Sequence, residues 1–208
     1  MAYRINDKLT FIHLPKNAGT SISQWIEQNT NYQYDGQRHQ HISALPSEWQ
    51  DNMFCVVRNP YQRAVSWYFF VQQMLDKKIK RKTNSSFIEP QLEILSEGFE
   101  QFVSVYFDYV FSKSKFRQAS HVMTLKSIAQ SNFVGDNFKG IAIRYENIHK
   151  DWKIIQEIVG CHVPLPVTNI TNYVNTFRWK KLYNENSYRA VSKLFEKDIK
   201  QFGYSFTD

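Results

Sequence analysis

Two stretches of this chain each run from an apolar, β-prone segment through a tight turn into an amphipathic helix. Together they leave few folds open. In the first, KLTFIHLPKNAGTSISQWI at residues 8–26, positions 9–14 are mostly apolar and β-rich, which predicts a buried strand. Pro15 stops it, Gly19 supplies a flexible point in the turn, and Thr20 or Ser21 caps a helix. Ile22, Trp25 and Ile26 then fall at helical spacing. In the second, MFCVVRNPYQRAVSWYFFV at residues 53–71, a strand over 53–57 ends at Arg58. Asn59 caps, and Pro60 takes the first helical position. Ala64, Trp67, Tyr68 and Val71 form the apolar face, while Asn59, Arg63 and Ser66 share another.

A strand that turns sharply into a helix aims unpaired backbone N–H groups at one spot, and the helix dipole adds positive potential there. Lys16 adds a full charge, and Thr20 and Ser21 add hydroxyls, so the first junction suits a phosphate or sulfate. It is not the ATP or GTP loop G-x-x-x-x-G-K-[ST]: Lys16 precedes Gly19, and the first glycine would fall on Leu14. The plainer alternative is a strand–turn–helix with a surface lysine. The second junction offers the fork-shaped donor of Arg58 and the Ser66 hydroxyl to another anion, or else Arg58 holds a structural carboxylate such as Glu146.

FIHLPKNAGTS resembles the 5′-phosphosulfate-binding loop of sulfotransferases that use 3′-phosphoadenosine 5′-phosphosulfate (PAPS), and VVRNPYQRAVSWY resembles their 3′-phosphate-binding strand and helix. The form is most similar to the carbohydrate sulfotransferase branch, in a soluble, bacterial-type version. The similarity extends through IRYENI at 143–148 and the ending KDIKQFGY at 197–204, and is thin between Phe69 and Phe138. The resemblance implies that Lys16 is catalytic and binds the donor. Asn17, Ala18, Gly19, Thr20 and Ser21 hold its 5′ end, and Arg58 and Ser66 its 3′-phosphate. It also implies a histidine base between the two junctions. His41, directly before Ile-Ser-Ala-Leu-Pro, fits best, with His39 in reserve. His13, in the strand, is expected to be structural. The segment LPVTNIT at 165–171 resembles a nucleotide-covering loop, but Ile170 stands where relatives commonly carry a basic residue; Arg178, Lys180 and Lys181 are the nearest substitutes.

A chain of 208 residues suits one domain, residues 1–208, and 42% hydrophobic content with 16% aromatics argues against disorder. Cys55 and Cys161 sit in or beside apolar segments, which predicts buried thiols in a reducing, cytoplasmic compartment. No run is apolar enough to span a membrane, and the N-terminus lacks a signal pattern. The net charge of +7 is concentrated in KKIKRK at 77–82, either a solvated loop or a landing strip for an acidic glycan. No nucleic-acid-binding motif accompanies it, and the histidines lack metal-ligand spacing. Residues 77–138 are expected to be helical, with Gly98 as a break in the pattern Leu92, Leu95, Phe99, Phe102, Val103, Tyr106.

A strand over 139–146 with Glu146 at its end, a helix over 152–159 capped by Asn147 or Asp151 and ended by Gly160, and a last helix over 187–202 ended by Gly203 complete the reading. Strands followed by helices imply an α/β, P-loop-like three-layer fold with a central parallel sheet flanked by helices, and ligands beyond the strand ends. The expected activity is sulfuryl transfer from PAPS to an acceptor hydroxyl on a carbohydrate or glycolipid, releasing PAP, with no metal. A nucleotide kinase-like enzyme and a non-catalytic nucleotide- or glycan-binding module are the alternatives.

Overall fold

The computed structural model describes residues 2–36, 41–80, 97–106, 128–168 and 178–208. The expectations for His39, Leu92, Leu95 and Ile170 lie outside those residues. The chain divides into two compact units: Met1–Asn59 with Gln130–Ile170 and Gln201–Asp208, and Pro60–Ala129 with Thr171–Lys200.

The first unit is built on β1 (Ala2–Ile5), β2 (Leu9–Ile12), α1 (Gly19–Asn29), β3 (Tyr32–Tyr34) and β4 (Met53–Val57). The second begins with α2 (Pro60–Lys80). The chain returns to the first unit through α3 (Gln130–Val134), β5 (Ile141–Arg144) and α4 (Ile148–Val159). Among the described residues the sheet has five strands in the order β3-β1-β2-β4-β5. β2, β4 and β5 run parallel, with Phe11 opposite Phe54 and Val56 opposite Ile143. β1 and β3 add an antiparallel edge that the sequence reading left out.

Side chains alternate across the parallel centre, as the two-residue period of a strand requires. Leu9, Phe11, Phe54, Val56 and Ile143 join Trp25, Ile26, Trp152 and Ile155 on the face covered by α1 and α4. Ile12, Cys55 and Val57 face the other way, toward Leu45, Trp49, Phe133 and Val134. Helix–sheet–helix layering follows, because a parallel sheet must be covered on both faces. Trp25 meets Trp152 edge-to-face at 5.1 Å, and its Nε1 donates to the Val163 carbonyl at 2.7 Å. Gly160 closes α4 in the left-handed conformation (φ 74°), as expected, but Asn147 sits at the cap position without a side-chain bond. Cys55 is buried, Cys161 is half-buried, and both are free thiols.

The second unit packs on aromatics. α2 starts at Pro60 as predicted, but its first two turns are buried nearly all round, Arg63 and Ser66 included, rather than along one stripe. Tyr68 touches Phe99 and Phe102 at 5.6 and 5.2 Å, and Phe99 meets Tyr183 at 4.8 Å. Gly98 (φ 96°) precedes the helical turn Phe99–Gln101; the helix expected on its other side lies outside the described residues. Lys77–Lys80 of the basic run lie within α2, not in a loop. The single final helix expected over 187–202 is two: α5 (Glu185–Leu194) and α6 (Glu196–Phe202), separated at Phe195. Asn184 and Ser187 close the start of α5 with a capping box.

Candidate functional site

The first junction is tighter than its sequence suggests. Two non-glycine residues, Lys16 (φ 67°) and Ala18 (φ 58°), occupy the left-handed region. Each such residue is strained by about 1–2 kcal/mol, and strain of this kind concentrates where backbone must face a ligand. Asn17, between them, has no positive φ. That alternation turns successive N–H groups toward one concavity, the arrangement of an anion nest. Ala18, not Thr20 or Ser21, is the cap residue of α1, and it makes no side-chain cap bond. The first helical bond runs from the Ile22 N–H to the Ala18 carbonyl at 3.1 Å, so the N–H groups of Gly19, Thr20 and Ser21 have no helical acceptor. No acidic side chain occupies that turn. Uncapped donors at the positive end of an 11-residue helix suit an anionic group.

Gly19 is not the flexible point expected of it: its φ is not positive. Its lack of a side chain serves His13, because a Cβ there would fall inside the His13 ring. That ring also stacks on Phe11, centroids 5.9 Å apart, so His13 is a packing residue. Ser21 is buried, its hydroxyl 2.8 Å from the Thr168 hydroxyl, and it also accepts from the Thr168 N–H at 3.3 Å. It thereby ties the segment before residue 169 to α1. Thr20 is exposed and Lys16 half-buried.

β4 delivers Arg58 beside this loop. The guanidinium lies 4.2 Å over the Tyr145 ring, and Nη1 donates to the Lys16 carbonyl at 3.4 Å. Arg58 is only 5% exposed. Burial lowers its pKa, and the charges of Tyr145, Glu146 and Tyr204 oppose that shift. Glu146 acts mainly on the neighbour: Oε1 accepts from the Asn59 N–H at 2.8 Å and Oε2 from the Tyr204 hydroxyl at 3.0 Å. Asn59 Nδ2 donates to the Ser205 carbonyl at 2.8 Å. Arg144 donates to the carbonyls of Phe202 and Gly203 and lies over the Tyr204 ring. The end of the chain thus braces the tip of β4.

One residue that sequence reasoning did not single out joins the two junctions. Gln130, at the start of α3, is fully buried. Its Oε1 accepts from Asn17 Nδ2 at 2.6 Å and from the Arg58 N–H at 2.7 Å, and its Nε2 donates to the Arg58 carbonyl at 2.9 Å. Asn17 Nδ2 also donates to the Val56 carbonyl at 2.7 Å. No local pattern marks Gln130; its partners are 72 and 113 residues away.

His41 is exposed at the start of a 3₁₀ turn. Its Nδ1 accepts from the Ser43 N–H at 3.0 Å and lies 2.7 Å from the Ser43 hydroxyl. In the neutral ring the proton then sits on Nε2. Ser66 belongs to the second unit, where it is buried in α2. Arg178, Lys180 and Lys181 are exposed. Among the described residues no helix is long and apolar enough to cross a membrane.

No curated protein matches the chain. The family comparison does: the profile of the sulfotransferase family matches residues 3–205 and takes in both junctions, Gln130 and the C-terminal brace. The chain belongs to the sulfotransferase family.

Proposed function

We propose that the protein transfers a sulfuryl group from PAPS to an acceptor hydroxyl on a carbohydrate or glycolipid, releasing PAP. The observation that carries this is the adjoining of the two strand ends within one unit, where Arg58 bonds the Lys16 carbonyl and Gln130 bonds both loops. PAPS supplies an activated sulfuryl group on a phosphate that leaves readily. The Asn17–Ser21 backbone and the uncapped start of α1 hold the 5′ end. Lys16 places its ammonium where charge gathers on the bridging oxygen, electrostatic preorganisation in the ordinary sense. Arg58 is assigned to the 3′-phosphate, and Ser66 joins it on the resemblance alone. His41 takes the acceptor proton once Nδ1 is released from Ser43, since a base needs a free lone pair within hydrogen-bond reach of the hydroxyl. The reading places the enzyme in the cytoplasm and gives it no metal.

Labelled-sulfate transfer from PAPS to a panel of polysaccharides, lipid-linked sugars and small phenols tests the reading. Lys16→Ala should lower turnover about 10²–10³-fold, the usual loss when one transition-state donor is removed. His41→Ala should lower it by a similar factor while leaving PAP affinity in place. Wild-type turnover in the lysine variant refutes its role. Tighter binding of ATP than of PAP moves the chain to the kinase alternative.

A further inference from the structure

We propose that Gln130 is the positioning residue that holds the two anion-binding loops at one fixed separation. The proposal rests on the donor reading above. A single carboxamide bonds both the N–H and the C=O of Arg58, as a neighbouring strand would, at the point where β4 has ended. The same Oε1 receives the Asn17 amide. Both Asn17 Nδ2 hydrogens are used, one on Gln130 and one on the Val56 carbonyl. These contacts fix both amides: Asn17 must present nitrogen to the Val56 carbonyl, and Gln130 must present oxygen to the Arg58 N–H.

Asn17 lies between the left-handed residues Lys16 and Ala18, so fixing its side chain fixes the loop's turn. Arg58 carries the guanidinium of the second loop. Gln130 therefore sets the spacing between a 5′-anion site and a 3′-anion site without itself facing a ligand. The chemical consequence is selectivity for nucleotides phosphorylated at both ends. A single-ended nucleotide needs only one loop in place and is indifferent to the spacing.

The test uses the full chain and two probes, adenosine 3′,5′-bisphosphate and adenosine 5′-monophosphate, with affinities from calorimetry. In Gln130→Met, which keeps side-chain volume and removes the polar atoms, the preference for the bisphosphate should fall about tenfold or more, in line with buried partners left unpaired. An unchanged preference overturns the proposal. A second measurement needs no ligand: in Gln130→Met the Arg58 amide should exchange with solvent at least about tenfold faster, while the amides of Trp25 and Ile26 stay protected. If the Arg58 amide keeps its protection, the proposal fails whatever the nucleotide does. If the wild type shows no preference for the bisphosphate, the donor reading fails instead, and exchange alone decides the role of Gln130.

Should Gln130→Met not fold, Gln130→Glu replaces it. A carboxylate cannot donate to the Arg58 carbonyl, but the protonated acid reproduces both halves of the amide pattern. Its bisphosphate preference, divided by that of the wild type at the same pH, should rise from pH 8 to pH 5. A flat ratio overturns the proposal.

Discussion

Replacing Gly19 with alanine probes the packing under the first junction. Gly19 is the first residue of α1 and has no left-handed backbone, so conformation alone favours alanine there by roughly 0.5–1 kcal/mol. Opposing this, the new methyl group would fall inside the His13 ring. The ring must leave its place over Phe11, and overpacking of this kind costs roughly 1–3 kcal/mol. The overlap wins, and Gly19→Ala should destabilise the protein by up to roughly 2.5 kcal/mol net. In a His13→Ala background the ring that the methyl group would strike is gone, and the backbone gain decides the sign. The same change should then stabilise by roughly 0.5–1 kcal/mol. The sign reverses, and the cycle gives a coupling of roughly 1–3 kcal/mol. Urea denaturation of the four proteins, compared at constant slope, measures it. Equal effects of Gly19→Ala in both backgrounds would refute the argument, because the glycine would then serve the chain and not the ring.

Two further outcomes follow from burial and capping. The Cys55 thiol is fully buried, and burial raises its pKa from an ordinary value of 9.0. The unfolded thiol loses its proton above pH 9 and the folded one does not, so stability falls as pH rises through that point, by about 1.4 kcal/mol per pH unit. Cys55→Ala should flatten the fall between pH 9 and 10; above pH 10 the Tyr3 hydroxyl, raised to about 12 chiefly by burial, contributes in the same direction. An unaltered slope in the variant excludes the thiol. Asn184→Ala removes the capping box of α5 together with the bond from Nδ2 to Glu100, and should cost about 1–2 kcal/mol in thermal or urea unfolding. A change below a few tenths of a kcal/mol would mean that the cap is not what starts that helix.

The parts of this protein legible in its sequence are those whose cause is local. β4 has the boundaries expected of it, because five apolar residues between a polar stretch and Arg-Asn-Pro can do little else. Pro60 and Gly160 mark a helix start and a helix end by their own backbone limits. β1 and β3 escaped because AYRI and YQY are short and partly polar, and only their pairing with each other and β2 makes them strands. The cap of α1 was misassigned for a related reason. Thr20 and Ser21 are good caps in isolation, but the loop enters the helix through a left-handed Ala18 and commits Ser21 to Thr168. Gln130 was invisible: a polar residue in SIAQSNF looks like surface until the chain folds it between two loops.

The separation of 113 residues between Asn17 and Gln130 has a consequence for synthesis. The loop around Lys16 leaves the ribosome well before the amide that fixes it, which is made 113 residues after Asn17. Contacts closing so long a stretch form late and slowly, since the entropy of closure must be met before they contribute. A nascent chain halted before α3 would carry the loop without its clamp, so competence to hold a nucleotide should arrive only after translation has passed α3.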